Sequence, residues 1–494
     1  MMAPITKKQF LAAVACPVRG WLLRHAPAQG PLGPAEELRV EEGLEIHHRA
    51  RKLFPEGIMV TGDNETCVRR TQELLSKAAT EVTFEGTFVH EVFVAKADIL
   101  IRRASGWKLL EVKSDVNDNE ELIDDLSYTT FAALKAGLPL SSCCLLLVNR
   151  AYRLGMSTEN LLTEIDHTKE ALARAAEFEE VSDEIAKALT GNMKPPEELR
   201  WECKGCEFFR ECVGHGIEHH IFTLPRISHT RFCQLRDMGV DSIEDIPADF
   251  KLTELQSRVR QAVKTGVTCI DVEGLRCALR SIRYPAHYLD FETVQTCVPL
   301  YKDIAPYEQL VTQYSLHICD EQGEVLEHRE FLADPLRDCR RTLAENLLQD
   351  CGRKGSIVVY TAFEKTIITG LARSFPDLGD DLDGLIRRLY DLCDVLREYL
   401  YHPEFHGSFS IKQVLPAVAP FMTYGGMAVE NGLDASAMFA FMARGRYRGR
   451  QAKKVRRDML EYCRMDTLAM VTVVDVLRTM LRRMDEEGGE RVAV

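Results

Sequence analysis

The chain has 494 residues, a net charge of −13 and 16 cysteines, with 46% apolar and 28% charged residues. That balance fits a globular protein of about three domains at roughly 150 residues each and argues against a generally basic coat for nucleic acid. No apolar run reaches the ~18 residues of a membrane span, and the opening segment, broken by Cys16-Pro17, lacks a signal-peptide cleavage site, so a cytoplasmic chain whose clustered cysteines bind metal is expected.

In chain order, Cys16 stands before Pro17 in an expected first helix. Residues 40–54 predict a helix with Gly43 and His47 on one side. Strands are expected over residues 87–94, 97–103 and 107–113, the last two forming a hairpin through Ala104-Ser105-Gly106. Asp98 opens the second, and Glu111 and Lys113 share a face of the third. An acid pair with a nearby lysine is what metal-assisted phosphodiester hydrolysis needs. The acids hold Mg²⁺ or Mn²⁺, and the ammonium steadies the attacking water or the charge developing on phosphorus. An E-V-K on a plain exposed strand is the structural alternative. A helix over residues 120–136, stopped by Gly137, and a buried strand over 141–148 follow.

Cys203, Cys206 and Cys212 place three thiols in a short stretch after Pro195-Pro196. Residues 221–283 read as a helical connector. Two short helical patterns around Met238-Gly239-Val240 resemble a helix-hairpin-helix, and a further amphipathic helix covers 252–265.

The stretch HYLDFET, residues 287–293, puts Asp290 and Glu292 on one face of a strand. Two carboxylates held that close call for a cation, and an oxygen-only site suits Mg²⁺ or Mn²⁺. Strands over 311–318 and 325–332, a helix over 341–348 and a buried strand over 356–360 come next. A helix beginning at Ala362-Phe363-Glu364 runs to Phe375, and residues 377–383 read as a solvated acidic turn. Asp391 is read as adjacent to the site and Lys412 as a phosphate contact, against a plain helix end and a surface lysine. A long helix over 458–480 carries Tyr462 and Asp466 four apart on one face. The basic run 444–457 suits phosphate contacts or a solvated face equally.

The order helix, three strands, helix, strand in residues 1–220 resembles the PD-(D/E)XK nuclease fold of RecB-like enzymes. The matching residues are His47, Asp98 and the E-x-K pair of Glu111 and Lys113. The resemblance implies His47, Asp98 and Glu111 as metal ligands and Lys113 as catalytic. The family's glutamine-tyrosine motif is matched by Tyr128 alone, implying a substrate contact there. Three clustered cysteines plus Cys16 resemble the iron-sulfur staple of the AddB and CRISPR-adaptation nucleases. This implies a 4Fe-4S cluster on Cys16, Cys203, Cys206 and Cys212. A structural Zn²⁺ on the same thiols, with His215 and His219 as substitute ligands, remains open.

Residues 284–494 resemble the DEDD exonucleases of the ribonuclease H-like superfamily, tyrosine subgroup. Asp290 and Glu292 match the first motif, Glu364 the second (normally aspartate), and Tyr462 and Asp466 the third. The resemblance implies 3′-to-5′ trimming by two divalent ions on Asp290, Glu292 and Asp466, with Glu364 as the further acid and Tyr462 orienting water. The whole is similar to a bacterial fusion of these two nuclease types. It leads us to expect an α/β chain in three parts: a PD-(D/E)XK restriction-endonuclease-like domain (1–220), the connector (221–283) and a ribonuclease H-like domain (284–494). The expected activity is a metal-dependent nuclease with two centres, acting on DNA ends in repair, recombination or defence. Its partners would be single-stranded or end-containing nucleic acid, DNA rather than RNA, and a helicase or other nucleic-acid-processing protein, with no membrane. A nucleic-acid-binding scaffold with one or both centres degenerate is the alternative.

Overall fold

The computed structural model describes residues 3–25 and 30–486. It is a mixed α/β structure whose strands fall into two compact units, Met1–Val213 with Gln295–Glu308, and Gly214–Val294 with Gln309–Val494. Residues 221–283 therefore belong to the second unit, and a short excursion after residue 294 belongs to the first. No helix among the described residues is long and apolar enough to cross a membrane.

In the first unit, α1 (Lys7–Ala15) starts at a reciprocal capping box between Thr6 and Gln9. Cys16 then turns the chain in an extended conformation before α2 (Pro17–His25). Pro34 at the first position favours the start of α3 (Pro34–Arg51), which bears His47. β1 (Ile58–Met59) and α4 (Asn64–Ser76) precede a meander of β2 (Val82–His90), β3 (Phe93–Arg103) and β4 (Gly106–Val112). After α5 (Glu120–Lys135), β5 (Leu140–Val148) lies parallel to β4; β6 (Leu162–Asp166) and α6 (Thr168–Thr190) follow. The sheet runs in sequence order, β1 to β6. Phe10, Phe93, Tyr128, Phe131 and Phe178 pack on one another in the core beneath it.

The strand expected over 87–94 is instead two strands meeting in a hairpin, with His90 paired to Phe93. No glycine or asparagine marks that turn. Glu91 makes it by taking the left-handed conformation, φ 53°, which a reading of turn residues does not detect.

The second unit opens with α7 (His229–Asp237), α8 (Glu254–Thr265), β7 (Cys269–Ile270) and α9 (Val272–Arg280). Its main sheet comprises β8 (Ala286–Val294), β9 (Leu310–Cys319), β10 (Val325–Leu332), β11 (Ile357–Val359) and β12 (Leu389–Asp391). Their spatial order is β10-β9-β8-β11-β12, the first three antiparallel and the last two parallel to β8. α10 (Arg340–Cys351), α11 (Phe363–Ser374) and α12 (Gly379–Ile386) lie between these strands in the chain. α12 corrects the solvated turn expected at 377–383: Leu382 and Leu385, three apart, are buried and hold that segment as a helix. α13 (Leu392–Tyr399) leads into β13 (Leu400–Tyr401), which pairs with β7. α14 (Ile411–Val418), α15 (Gly432–Ala443) and the 38-residue α16 (Gly449–Glu486) complete the unit.

Candidate metal centres

β8 is the middle strand of its sheet, and the alternation of a strand turns Asp290 and Glu292 to one face. A register shift against β9 falls between Glu292 and Thr293, after which pairing resumes at Thr293–Val311. α16 packs against this strand and brings Asp466. Ligand oxygens of Asp290, Glu292 and Asp466 all lie within 4.8 Å of one another. Glu364, in the first turn of α11, is buried, and its Oε2 has no hydrogen-bond partner.

Burial raises the pKa of every acid here. Asp290 is pushed well above the carboxylate range by burial and then by Asp466, Glu292 and Glu364, against a weaker contribution from Cys463. Burial and the charge of Asp466 push Glu292 up to about 8, with Lys412 opposing. Glu364 is pushed up to about 8 by burial, against backbone N–H groups of its own helix start, with Asp391 adding to the rise. Four carboxylates in such a place repel one another until a cation or protons neutralise them.

The surroundings are built for charge. Lys412, on α14, sets its Nζ 4.7 Å from the Tyr462 ring centre and 5.3 Å from that of Tyr424, and donates to the backbone oxygen of Glu430. Tyr462 lies one helical turn from Asp466 on the same face of α16. Tyr424 donates to Asp466 Oδ1 at 2.7 Å, and Cys463 Sγ stands 3.4 Å from Asp290 Oδ2. Asp391 caps α13 by accepting from Asp394 N, and its charge is felt at Glu364. Asp391 itself is half-buried. In the basic run, Arg450, Lys453 and Arg457 share an exposed stripe of α16 on the side turned away from Tyr462 and Asp466.

A family model described as a domain of unknown function (DUF2779) matches residues 287–410. That stretch carries Asp290, Glu292, Glu364 and Asp391 and stops short of Lys412, Tyr424, Tyr462 and Asp466. Among curated relatives, the chain is similar to the uncharacterized protein MG366 of Mycoplasma genitalium, 21% identical over 219 residues, or 40% of this chain and 32% of that one. The MG366 homolog of Mycoplasma pneumoniae is 26% identical over 206 residues, 38% of this chain and 31% of its own length. Uncharacterized protein UU173 of Ureaplasma parvum is 23% identical over 217 residues, 39% of this chain and 31% of that protein. The chain thus spans about a third of the length of the curated relatives it matches.

In the first unit, His47 of α3, Glu85 of β2 and Asp98 of β3 bring ligand atoms within 4.8 Å of one another. Glu85, absent from the sequence reading, takes the third place there with φ 58°. Glu111, expected to share the ion with His47 and Asp98, is instead held by Lys7 and accepts from Thr129 Oγ1 at 3.2 Å. Lys113 Nζ stands 3.2 Å from the same carboxylate and also pairs with Asp125. Burial alone would raise Glu111, but the two ammonium groups outweigh it and hold its carboxyl below the usual range. Asp98 is raised well above it, by burial and by Glu111. The substrate contact expected at Tyr128 is corrected: the side chain is fully buried among aromatics and its hydroxyl donates to the backbone oxygens of Val94 (3.1 Å) and Ile5 (3.3 Å).

Cys16, Cys203, Cys206 and Cys212 line one small cavity together with Phe208 and Phe209. All four are free thiols. Burial raises Cys203, Cys206 and Cys212, and the Cys16 charge adds to the first two. Among the described residues, no three of these sulfurs come within 4.8 Å of one another.

Lys7, Glu85, Tyr424 and Cys463 are the site residues that sequence reasoning missed. Cys463 had a signal, being three residues before Asp466 on one helix. The others reach their sites through tertiary contact alone.

Proposed function

We propose that the chain is a divalent-metal-dependent nuclease whose main centre is the Asp290, Glu292, Glu364 and Asp466 cluster, trimming single-stranded DNA from its 3′ end as the DEDD exonucleases do. The observation that carries this reading is three carboxylates within 4.8 Å of one another beside a buried Glu364 oxygen that lacks a partner. An uncompensated acid cluster of this kind fits Mg²⁺ or Mn²⁺, hard ions that take oxygen ligands. When bound, such ions supply Lewis-acid activation of water and of the departing 3′ oxygen. Asp290, Glu292 and Asp466 would hold them. Lys412 offers its ammonium to a phosphate oxygen, and Tyr462 positions the nucleophilic water through its hydroxyl. That hydroxyl is itself driven far above its usual pKa by burial and the neighbouring acids, so it acts as a hydrogen-bond partner and not as a base.

The first unit supports a second, RecB-like nuclease centre on His47, Glu85 and Asp98, with Lys113 near the scissile phosphate. Lys7 seated on Glu111 favours another reading of this unit alone, a nucleic-acid-binding module with a degenerate centre. Four thiols around one cavity suit a 4Fe-4S cluster, with a structural Zn²⁺ as the alternative.

The deciding assay is degradation of end-labelled single-stranded DNA and RNA with Mg²⁺ or Mn²⁺, using Asp290→Ala and Lys113→Ala separately and together. Loss with Asp290→Ala assigns activity to the second unit. Activity that survives the double change removes the proposal, and binding without any cleavage selects the scaffold reading.

A further inference from the structure

Two histidine-bearing segments far apart in the sequence meet within the second unit. Residues 214–223 carry His215, His219 and His220; residues 401–407 carry His402 and His406, so five of the chain's 14 histidines lie in these two short stretches. Such tracts are a compositional mark of metal binding. Ligand atoms of Glu218, Glu404 and His406 lie within 4.8 Å of one another. His406 Nε2 stands 3.5 Å from Glu404 Oε2.

An independent observation concerns the neighbouring imidazole. The ring of His219 stacks on that of His406 with centroids 5.2 Å apart. His219 is only 9% exposed, and its Nδ1 is buried without a hydrogen-bond partner; the same is true of Nδ1 in His406. His220 and His402, in contrast, each use Nδ1 to accept a backbone N–H. A buried imidazole nitrogen with nothing to bond costs free energy, which a bond from that nitrogen to a cation would offset.

The backbone on both sides is fixed. His219 O accepts from Ile243 N at 2.8 Å, and His220 forms an isolated bridge to Ser242. Opposite, His406 and Gly407 both have positive φ, and a Cβ on Gly407 would fall 1.7 Å from Thr223 O, so only glycine lets the two segments approach this closely. Gln413 Nε2 donates to Glu404 O at 2.8 Å, which ties this turn to α14 and its Lys412.

We infer that Glu218, Glu404 and His406, with His219 beside them, form a binding site for a zinc-like divalent ion that fastens the 214–223 segment to the 401–407 turn. An imidazole with two carboxylates suits Zn²⁺ over Mg²⁺, because nitrogen ligands favour the softer ion. This site is separate from the acid cluster on β8 and does not depend on the nuclease reading.

The test is equilibrium dialysis of the full chain against Zn²⁺ in excess Mg²⁺, comparing wild type with Glu404→Gln/His406→Gln and with Glu218→Gln alone. Glu218 is exposed, so that single variant folds whatever the fate of the double one. The double variant is expected to bind one zinc equivalent fewer, and Glu218→Gln to bind that equivalent at least tenfold more weakly. Zinc-edge X-ray absorption of wild type minus variant should show nitrogen and oxygen neighbours without sulfur. Equal zinc content and affinity in all three proteins, or a difference spectrum made of sulfur scattering, overturns the inference.

Discussion

Tyr424 donates its hydroxyl hydrogen to Asp466 Oδ1 at 2.7 Å, so the ionised form of a central carboxylate is supported by a side chain from the loop before α15. A hydrogen bond to a charged group contributes about 1.5 kcal/mol, roughly tenfold in an equilibrium constant. Tyr424→Phe should therefore weaken Mn²⁺ binding about tenfold, read from the free-Mn²⁺ electron paramagnetic resonance signal. The Tyr462 hydroxyl also hydrogen-bonds Asp466, so Tyr462→Phe should weaken Mn²⁺ binding and in addition lower kcat, while Tyr424→Phe changes affinity with a smaller effect on kcat. Equal effects of the two changes on kcat would contradict separate roles.

The acid cluster makes stability pH-dependent. Glu292 and Glu364, each pushed up to about 8, keep protons in the folded chain that the unfolded chain releases near ~4.3. Between those values the folded state binds more protons, so this contribution is full at low pH and is lost as pH rises toward 8. Asp290→Asn removes one repelling charge and should stabilise the metal-free protein by about 1–2 kcal/mol near pH ~8.5 and by much less near pH ~5. Denaturant titration at both pH values measures the gap. A gap that is flat or reversed with pH refutes the electrostatic account.

The charge of Lys412 opposes the rise of Glu292 and Asp466. Lys412→Ala should raise KM for oligonucleotides and lower kcat/KM by about tenfold to a hundredfold. Lys412→Arg keeps the charge but not the compact ammonium, and should recover part of the loss. Steady-state kinetics on a defined single strand decide it; an unchanged kcat/KM in the alanine variant would place phosphate binding elsewhere.

In the first unit, Glu111 is buried and holds two lysines. Glu111→Gln leaves both ammonium groups short of a counter-charge and should cost about 2 kcal/mol, less than a fully buried pair because the lysines reach water. The midpoint of urea unfolding reports this. Lys7→Met should cost less and should strengthen Mn²⁺ binding at His47, Glu85 and Asp98, since it removes a competing cation.

Much of the acid cluster on β8 was legible in the sequence. Period two in a strand aligned Asp290 with Glu292, and period 3.6 in a helix aligned Tyr462 with Asp466. Glu364 stood out at a helix start. Tyr424 had no such rule, because a loop has no period and only its folded path brings it to Asp466. Lys7 and Glu85 were hidden for the same reason, since ion pairs and metal clusters join residues across sequence distances that patterns do not span. The hairpin at Glu91 was missed because a glutamate, not glycine, takes the left-handed turn. The excursion of residues 295–308 into the first unit was equally invisible, since nothing in its composition says which core it joins.

The most direct measurement is the electron paramagnetic resonance spectrum of Mn²⁺ bound to the full chain, compared with Asp290→Asn and Asp466→Asn. The account predicts a signal from two coupled ions in the wild type, replaced by uncoupled Mn²⁺ or no bound ion in either variant. An identical spectrum in all three proteins would contradict a paired-ion centre on these carboxylates.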